Sequence, residues 1–186
     1  MKDTSQSITE LAVEIARRLS LSEEEIRYMR RGALLHDIGQ IGVPYAVLHK
    51  PGKLTEEEWV QIRKHPQIAY ELISSIEHLR PAADVPYCHH EKWDGSGYPR
   101  GLKGKQIPLT ARIFALVDVW DAIRSERPYR PPWPDEKALD YIEREAGKHF
   151  DPRVVEVFLE ILRGKKKGDS ETTEGQAEFH QSQGSQ

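Results

Sequence analysis

The chain has 186 residues with 27 basic and 30 acidic side chains, a formal net charge of −3, 38% hydrophobic residues and a mean hydropathy of −0.66. This composition suits one globular domain with a large hydrated surface and excludes a duplex nucleic-acid binder, whose basic footprint is reduced here to the short cluster Lys165-Lys166-Lys167. No run approaches the roughly 20 apolar residues of a membrane span, the opening MKDTSQS lacks the features of a signal peptide, and the single Cys88 builds no disulfide scaffold, so a cytoplasmic protein is expected.

Ile8, Leu11, Ala12, Ile15 and Leu19 recur at helical spacing and stop at Ser20 and Ser22, which predicts a first amphipathic helix. Ser22 and Glu25 form a capping-box pattern for a second helix, carrying Ile26, Met29, Ala33 and Leu34 and ending at His36. Gly39, Gly42 and Pro44 break the pattern, and Pro51-Gly52 breaks it again before Thr55 and Glu58 offer another capping box for a helix over 56–64. Pro66 suits the first turn of a helix carrying Ile68, Ala69, Leu72 and Ile73, with His65 at its entry. A helical stretch reaches His89 and His90 and gives way to the breaker-rich loop 94–99.

Leu109, Ile113, Leu116, Val117 and Trp120 define the most apolar helix, in which Asp118 and Asp121 are embedded. Beyond the proline-rich stretch 128–134, two further helices are expected, the last with Asp151 as cap and Pro152 in its first turn. No segment alternates with period two and no internal repeat is visible, so the fold class is all-α. From residue 164 the composition turns polar, with Phe179 the one large apolar side chain. The expected organisation is a helical domain over 1–163 and a disordered tail over 164–186.

His36-Asp37, His65, His89-His90-Glu91 and the helix-embedded Asp118 together have the composition of a metal site. Mixed imidazole and carboxylate donors suit iron, manganese or zinc. Six ligands on one ion would leave no open position, which favours at least two ions, with Asp37 as the natural bridge. Each residue also has a plainer reading. A His-Asp pair at a helix end interacts with the helix dipole, and Asp118 among apolar neighbours could pair with Arg112 or Arg124. Adjacent His89 and His90 reach one cavity only if it holds several ions or the helix ends there. His49, His78, His149 and His180 read as surface residues and Trp59 and Trp120 as core. Trp93, beside the glycine loop, either faces a ligand or anchors that loop.

The motifs HDIGQIGVP from His36, HHEKWDGSGYP from His89 and DVWDAIRSERPYR from Asp118 closely resemble, in order, those of the HD-GYP family, and the likeness runs from about Thr4 to about Leu162. It implies a multi-helix HD-domain bundle with a signature loop at Gly97, Tyr98 and Pro99. The implied activity is hydrolysis of cyclic di-GMP, by metal-activated water, to the linear dinucleotide pGpG and onward to GMP. It also implies His36, Asp37, His65, His89, His90 and Asp118 as ligands of two ions, iron or manganese, with Asp37 catalytic. Arg127 and Arg130 would hold substrate phosphate, and the loop would meet GGDEF-domain partners. The chain shows no sensor domain of its own, so regulatory input is expected from a partner in trans.

Three departures bear on activity. Thr4 stands where the family pattern opens with a ligating His, Gln40 replaces the lysine of HDIGK in the substrate-binding position, and Tyr45 replaces the acid that follows GIP. A further Glu ligand of some members would fall before Met1, which argues for two metals rather than three. The favoured expectation is a two-metal phosphodiesterase acting on cyclic di-GMP or a related dinucleotide such as cyclic GMP-AMP. The alternative is a catalytically degenerate module that serves as a cyclic-dinucleotide receptor or protein-interaction partner.

Overall fold

The apolar spacing of the N-terminal segment becomes α1 (Thr4–Arg18), which buries Leu11, Ala12, Ile15 and Ala16. Its end is a Schellman turn: Leu21 N–H donates to the Ala16 carbonyl and Ser20 N–H to that of Arg17, each at 3.0 Å, with Ser20 in the left-handed region at φ 64°. The computed structural model describes residues 4–126 and 131–164, with side chains from residue 8. Among these residues there is no strand, only an isolated bridge between Ala146 and Phe150.

Both predicted capping boxes form. Ser22 and Glu25 open α2 (Glu23–Leu35), and Thr55 and Glu58 open α4 (Glu56–Ile62), which stops two residues before the expected 64. The breaker-rich stretch between them is more ordered than its glycines suggest. It folds into a 3-10 turn, Ile38–Gly42, and the short α3 (Tyr45–Leu48). Next in the chain come α5 (His65–Ser74), with Pro66 in its first turn, α6 (Asp84–Cys88), α7 (Leu109–Arg124), α8 (Asp135–Arg144) and α9 (152–164). Asp151 caps α9 as expected, its Oδ1 accepting from Arg153 N–H at 2.9 Å. Helix α9 passes one residue beyond the expected boundary at 163. Residues 165–186, including His180 and nearly all of the expected tail, lie outside the described residues.

The core is built around α7, whose Ile113, Leu116 and Val117 are fully buried against α1, α8 and α9. On its other side α7 meets α2 and α6, and α5 joins α6 to the 3-10 turn. Two glycines set how close these pieces come. A Cβ on Gly32 of α2 would stand 2.6 Å from the Ala82 carbonyl oxygen, and one on Gly39 would stand 1.9 Å from that of His65. Only glycine permits either approach.

Two side chains depart from the sequence reading, Trp59 and His149, and that reading leaves Trp93 between two roles. Trp59 is not core: it is 40% exposed on α4. His149 is not a surface residue, because it is half-buried and stacked on Phe150 at 4.2 Å, and burial, with Lys92 nearby, pushes its imidazole down to about 4. Trp93 sits in the anchoring position: its backbone N–H donates to the His149 carbonyl at 3.0 Å and the Arg112 guanidinium lies over its ring. Trp120 is buried, and His49 and His78 are exposed, as expected.

Candidate metal centre

Three helix ends converge on one cluster of imidazoles. His36 follows the last residue of α2, His65 stands three residues past the end of α4, and His89 follows the last residue of α6. Each Nδ1–H donates to a carbonyl three residues back: His36 to Ala33 at 2.7 Å, His65 to Ile62 at 2.7 Å and His89 to Pro86 at 3.0 Å. A carbonyl can only accept, so each Nδ1 carries a proton, and in a neutral ring that leaves Nε2 as a lone pair; His36 differs, its Nε2 facing the Asp37 carboxylate as a donor. This is how a metal-ligating histidine is held by its outer shell.

The bare atoms face one another. His65 Nε2 and His89 Nε2 are 3.4 Å apart, and donor atoms of His65, His89 and His90 all lie within 4.8 Å of each other. Two lone pairs at that distance repel unless a proton or a cation stands between them. Burial, reinforced by the neighbouring imidazoles, pushes His89 well down and His90 to about 4, so both are neutral near pH 7, the state a metal needs. His89 and His90 reach one cavity because α6 ends at Cys88, and their ring centroids are 4.0 Å apart.

Asp37 joins the remaining ligand candidates. Its Oδ2 is 3.4 Å from His36 Nε2 and its Oδ1 is 3.6 Å from His65 Nε2, so each oxygen serves a different imidazole while the side chain stays 49% exposed. Burial pushes this carboxyl up, but the hydrogen bond and charge of His36, together with the Gln40 side chain, hold it well below the usual range. His36 is the reciprocal case: burial lowers it, while Asp37 and the charge of Asp118 raise it further. Asp118 lies one turn beyond Phe114 on α7, and the Phe114 ring packs against His36 at 5.0 Å. The two arginines weighed as ion-pair partners of Asp118 are engaged elsewhere, Arg112 with Asp151 and Arg124 with Asp135.

The signature loop closes one side. The Tyr98 ring stacks on His90 at 4.7 Å, and its N–H donates to the His90 carbonyl at 3.1 Å. Gly97 is pressed so closely on the backbone of Glu91 and Lys92 that a Cβ would fall within 2.5 Å of it. The Tyr98-Pro99 peptide is cis. Glu91, read from sequence as one more acid beside the histidines, turns away from them. It is 2% exposed, and its carboxylate accepts Arg100 N–H at 2.8 Å and Leu102 N–H at 3.0 Å. Burial pushes the Tyr98 phenol up to about 12.

His36, Asp37, His65, His89, His90 and Tyr98 are therefore brought together, with Gln40 hydrogen-bonded to Asp37 and Asp118 on α7 near enough for its charge to act on His36. Arg127 and Arg130 lie outside the described residues, as does the side chain of Thr4. Sequence reasoning missed Gly39, Phe114 and Arg63 as neighbours of the site. For Gly39 the one available signal was a glycine two residues after the candidate ligand pair His36-Asp37.

The arrangement has relatives. A family model described as HD domain matches residues 1–154. The chain is 48% identical over 153 residues to the cyclic di-GMP phosphodiesterase response regulator RpfG of Xanthomonas campestris, covering 81% of this chain and 40% of RpfG. It is 39% identical over 148 residues to the 3′3′-cGAMP-specific phosphodiesterase 2 of Vibrio cholerae, covering 78% of this chain and 28% of that protein. The chain thus spans less than half the length of these curated relatives. Among solved structures, an HD-GYP protein of Bdellovibrio bacteriovorus superposes with a TM-score of 0.67 at 20% identity, over 86% of this chain and 51% of its own. The fold, the motif order and the matched model agree: this chain belongs to the HD domain family, in its HD-GYP branch.

Proposed function

We propose that the chain is a metal-dependent phosphodiesterase that opens cyclic di-GMP, or a related cyclic dinucleotide, to the linear form pGpG and onward to GMP. His36, Asp37, His65, His89, His90 and Asp118 would hold two divalent ions, with iron or manganese matching the mixed imidazole and carboxylate set. The observation that carries this reading is the 3.4 Å approach of His65 Nε2 to His89 Nε2, both rings turned there by bonds from Nδ1 to backbone carbonyls, with a donor atom of His90 within 4.8 Å. The names of the relatives supply the substrate class.

Divalent ions in such a set neutralise charge on a phosphodiester and acidify water. The protein's own groups do the rest. The backbone carbonyls of Ala33, Ile62 and Pro86 hold three imidazoles in one tautomer and one orientation. Asp37, kept ionised, offers one oxygen to each side of the site and is the catalytic bridge of this proposal. Tyr98, in the loop with Gly97 and Pro99, covers His90 and keeps bulk water from that face. Gln40 presents an amide rather than an ammonium beside Asp37, and Arg127 and Arg130 receive substrate phosphate. All these residues fall within the proposed domain 1–163. A GGDEF-domain or sensor protein acting in trans would engage the signature loop. Among the described residues no helix is long and apolar enough to cross a membrane, and a cytoplasmic second-messenger enzyme is the setting proposed.

The test is turnover of cyclic di-GMP after anaerobic loading with iron or manganese, with metal quantified in the same sample and Asp37→Ala as blank. Product in proportion to bound metal, and its loss in Asp37→Ala, is expected. Bound metal without product would instead support the receptor reading, and a chain that binds no metal would overturn both.

A further inference from the structure

Arg63 follows α4 directly and stands two residues before His65, at the rim of the imidazole cluster. Its guanidinium carbon lies 5.8 Å from the centroid of the Tyr98 ring and 5.9 Å from that of Trp59. Aromatic faces attract a cation at such distances. The same Tyr98 ring stacks on His90, so one phenol separates the guanidinium from a candidate metal ligand.

No carboxylate within ion-pair reach is found for Arg63 among the described residues, in contrast to Arg112 and Arg124. It is exposed, its planar fork of donors is not taken up by an acid, and two rings limit its rotamers, which lowers the entropy lost when it takes an oxyanion. A cyclic dinucleotide carries two phosphodiesters. The one to be cut belongs at the imidazoles, and the other remains beside it, a ribose away, with its own negative charge. Gln40 brings no cation to meet it.

We propose that Arg63, clamped between Trp59 and Tyr98, binds the non-reacting phosphate of the cyclic dinucleotide; the assignment rests on the phosphodiesterase reading above. The experiment compares the metal-loaded full chain with Arg63→Ala and Arg63→Lys on two substrates, cyclic di-GMP and bis(p-nitrophenyl) phosphate, which has a single phosphodiester. Losing one charge-assisted phosphate contact should raise KM for cyclic di-GMP about tenfold more than KM for the single diester, and Arg63→Lys should recover part of that loss. Cyclic di-GMP affinity, read by calorimetry without turnover, should weaken by the same factor. Equal effects on both substrates, or unchanged affinity, would overturn the role of Arg63. Wild-type protein that neither cleaves nor binds cyclic di-GMP would bring down the phosphodiesterase reading itself, a different result.

Discussion

Gly39→Ala tests whether the site is set by a backbone contact. The added methyl would stand 1.9 Å from the His65 carbonyl oxygen and 2.7 Å from the Ala69 amide nitrogen, both backbone atoms of α5 with no rotamer to yield. Ordinary contact begins at 3.4 Å, so the 3-10 turn and α5 must part by about 1.5 Å. Asp37 leads that turn and His65 heads that helix, so the same displacement opens their 3.6 Å approach. Overpacking of this kind costs about 1–3 kcal/mol, which for a domain of this size lowers Tm by about 5 °C. A misplacement near 1 Å at a reacting centre costs about a hundredfold in turnover. Gly42→Ala is the internal control, because its methyl meets the Cδ1 tip of the Ile68 side chain, which can swing aside. Thermal melts and metal content, measured for both variants, should separate them clearly. If Gly39→Ala keeps wild-type metal content and turnover, the Asp37–His65 geometry does not depend on this contact.

Ser20 holds the left-handed position of the α1 end without being glycine, so Ser20→Gly should stabilise the protein by about 1 kcal/mol in urea unfolding; no gain would mean that the strain is relieved elsewhere. Glu91→Gln replaces one of two buried acceptors by a donor facing a backbone N–H. It should cost about 2 kcal/mol and speed hydrogen exchange at the Arg100 and Leu102 amides, whereas unchanged protection would show that the loop does not hang on Glu91. Chelation of the metal-loaded protein should lower Tm, since an ion at about one hundred times its Kd stabilises by about 2.7 kcal/mol. An identical melt with and without chelator would show that the imidazole cluster holds no ion.

The features legible in the sequence were local. The boxes of Ser22 with Glu25 and of Thr55 with Glu58, and the Asp151-Pro152 start, are contained in four residues or fewer, and they form as written. The ligand candidates were legible because imidazoles and acids stand in short motifs. The contacts those residues make were not legible. Glycine and proline mark where a helix stops but not which element the chain enters next, so Ile38–Gly42 and Tyr45–Leu48 were invisible. The burial of His149 depends on Phe150 and the loop carrying Trp93, and the exposure of Trp59 depends on which side of α4 the bundle leaves open. Glu91 shows the limit well. Its neighbours in sequence suggest a ligand, and only the return of the chain at Arg100 and Leu102 reveals that the carboxylate anchors the signature loop.

The helix breaks and the metal ligands belong to one design. A helix leaves its last four carbonyls without partners, and a longer helix would satisfy those of Ala33, Ile62 and Pro86 internally. Because α2, α4 and α6 stop where they do, these carbonyls are available to His36, His65 and His89, and each bond fixes a proton on Nδ1. Short helices such as five-residue α6 are weak on their own, so their ends must be held by packing, which Gly32 and Gly39 make possible by close backbone approach. The cost in helix length is thus tied to the feature the proposed chemistry needs, imidazoles whose Nδ1 is engaged by backbone and whose Nε2 atoms are turned toward one site. A substitution that lengthened α6 past His89 would satisfy its carbonyls and turn His89 and His90 about 100° apart, destroying the site without touching a ligand.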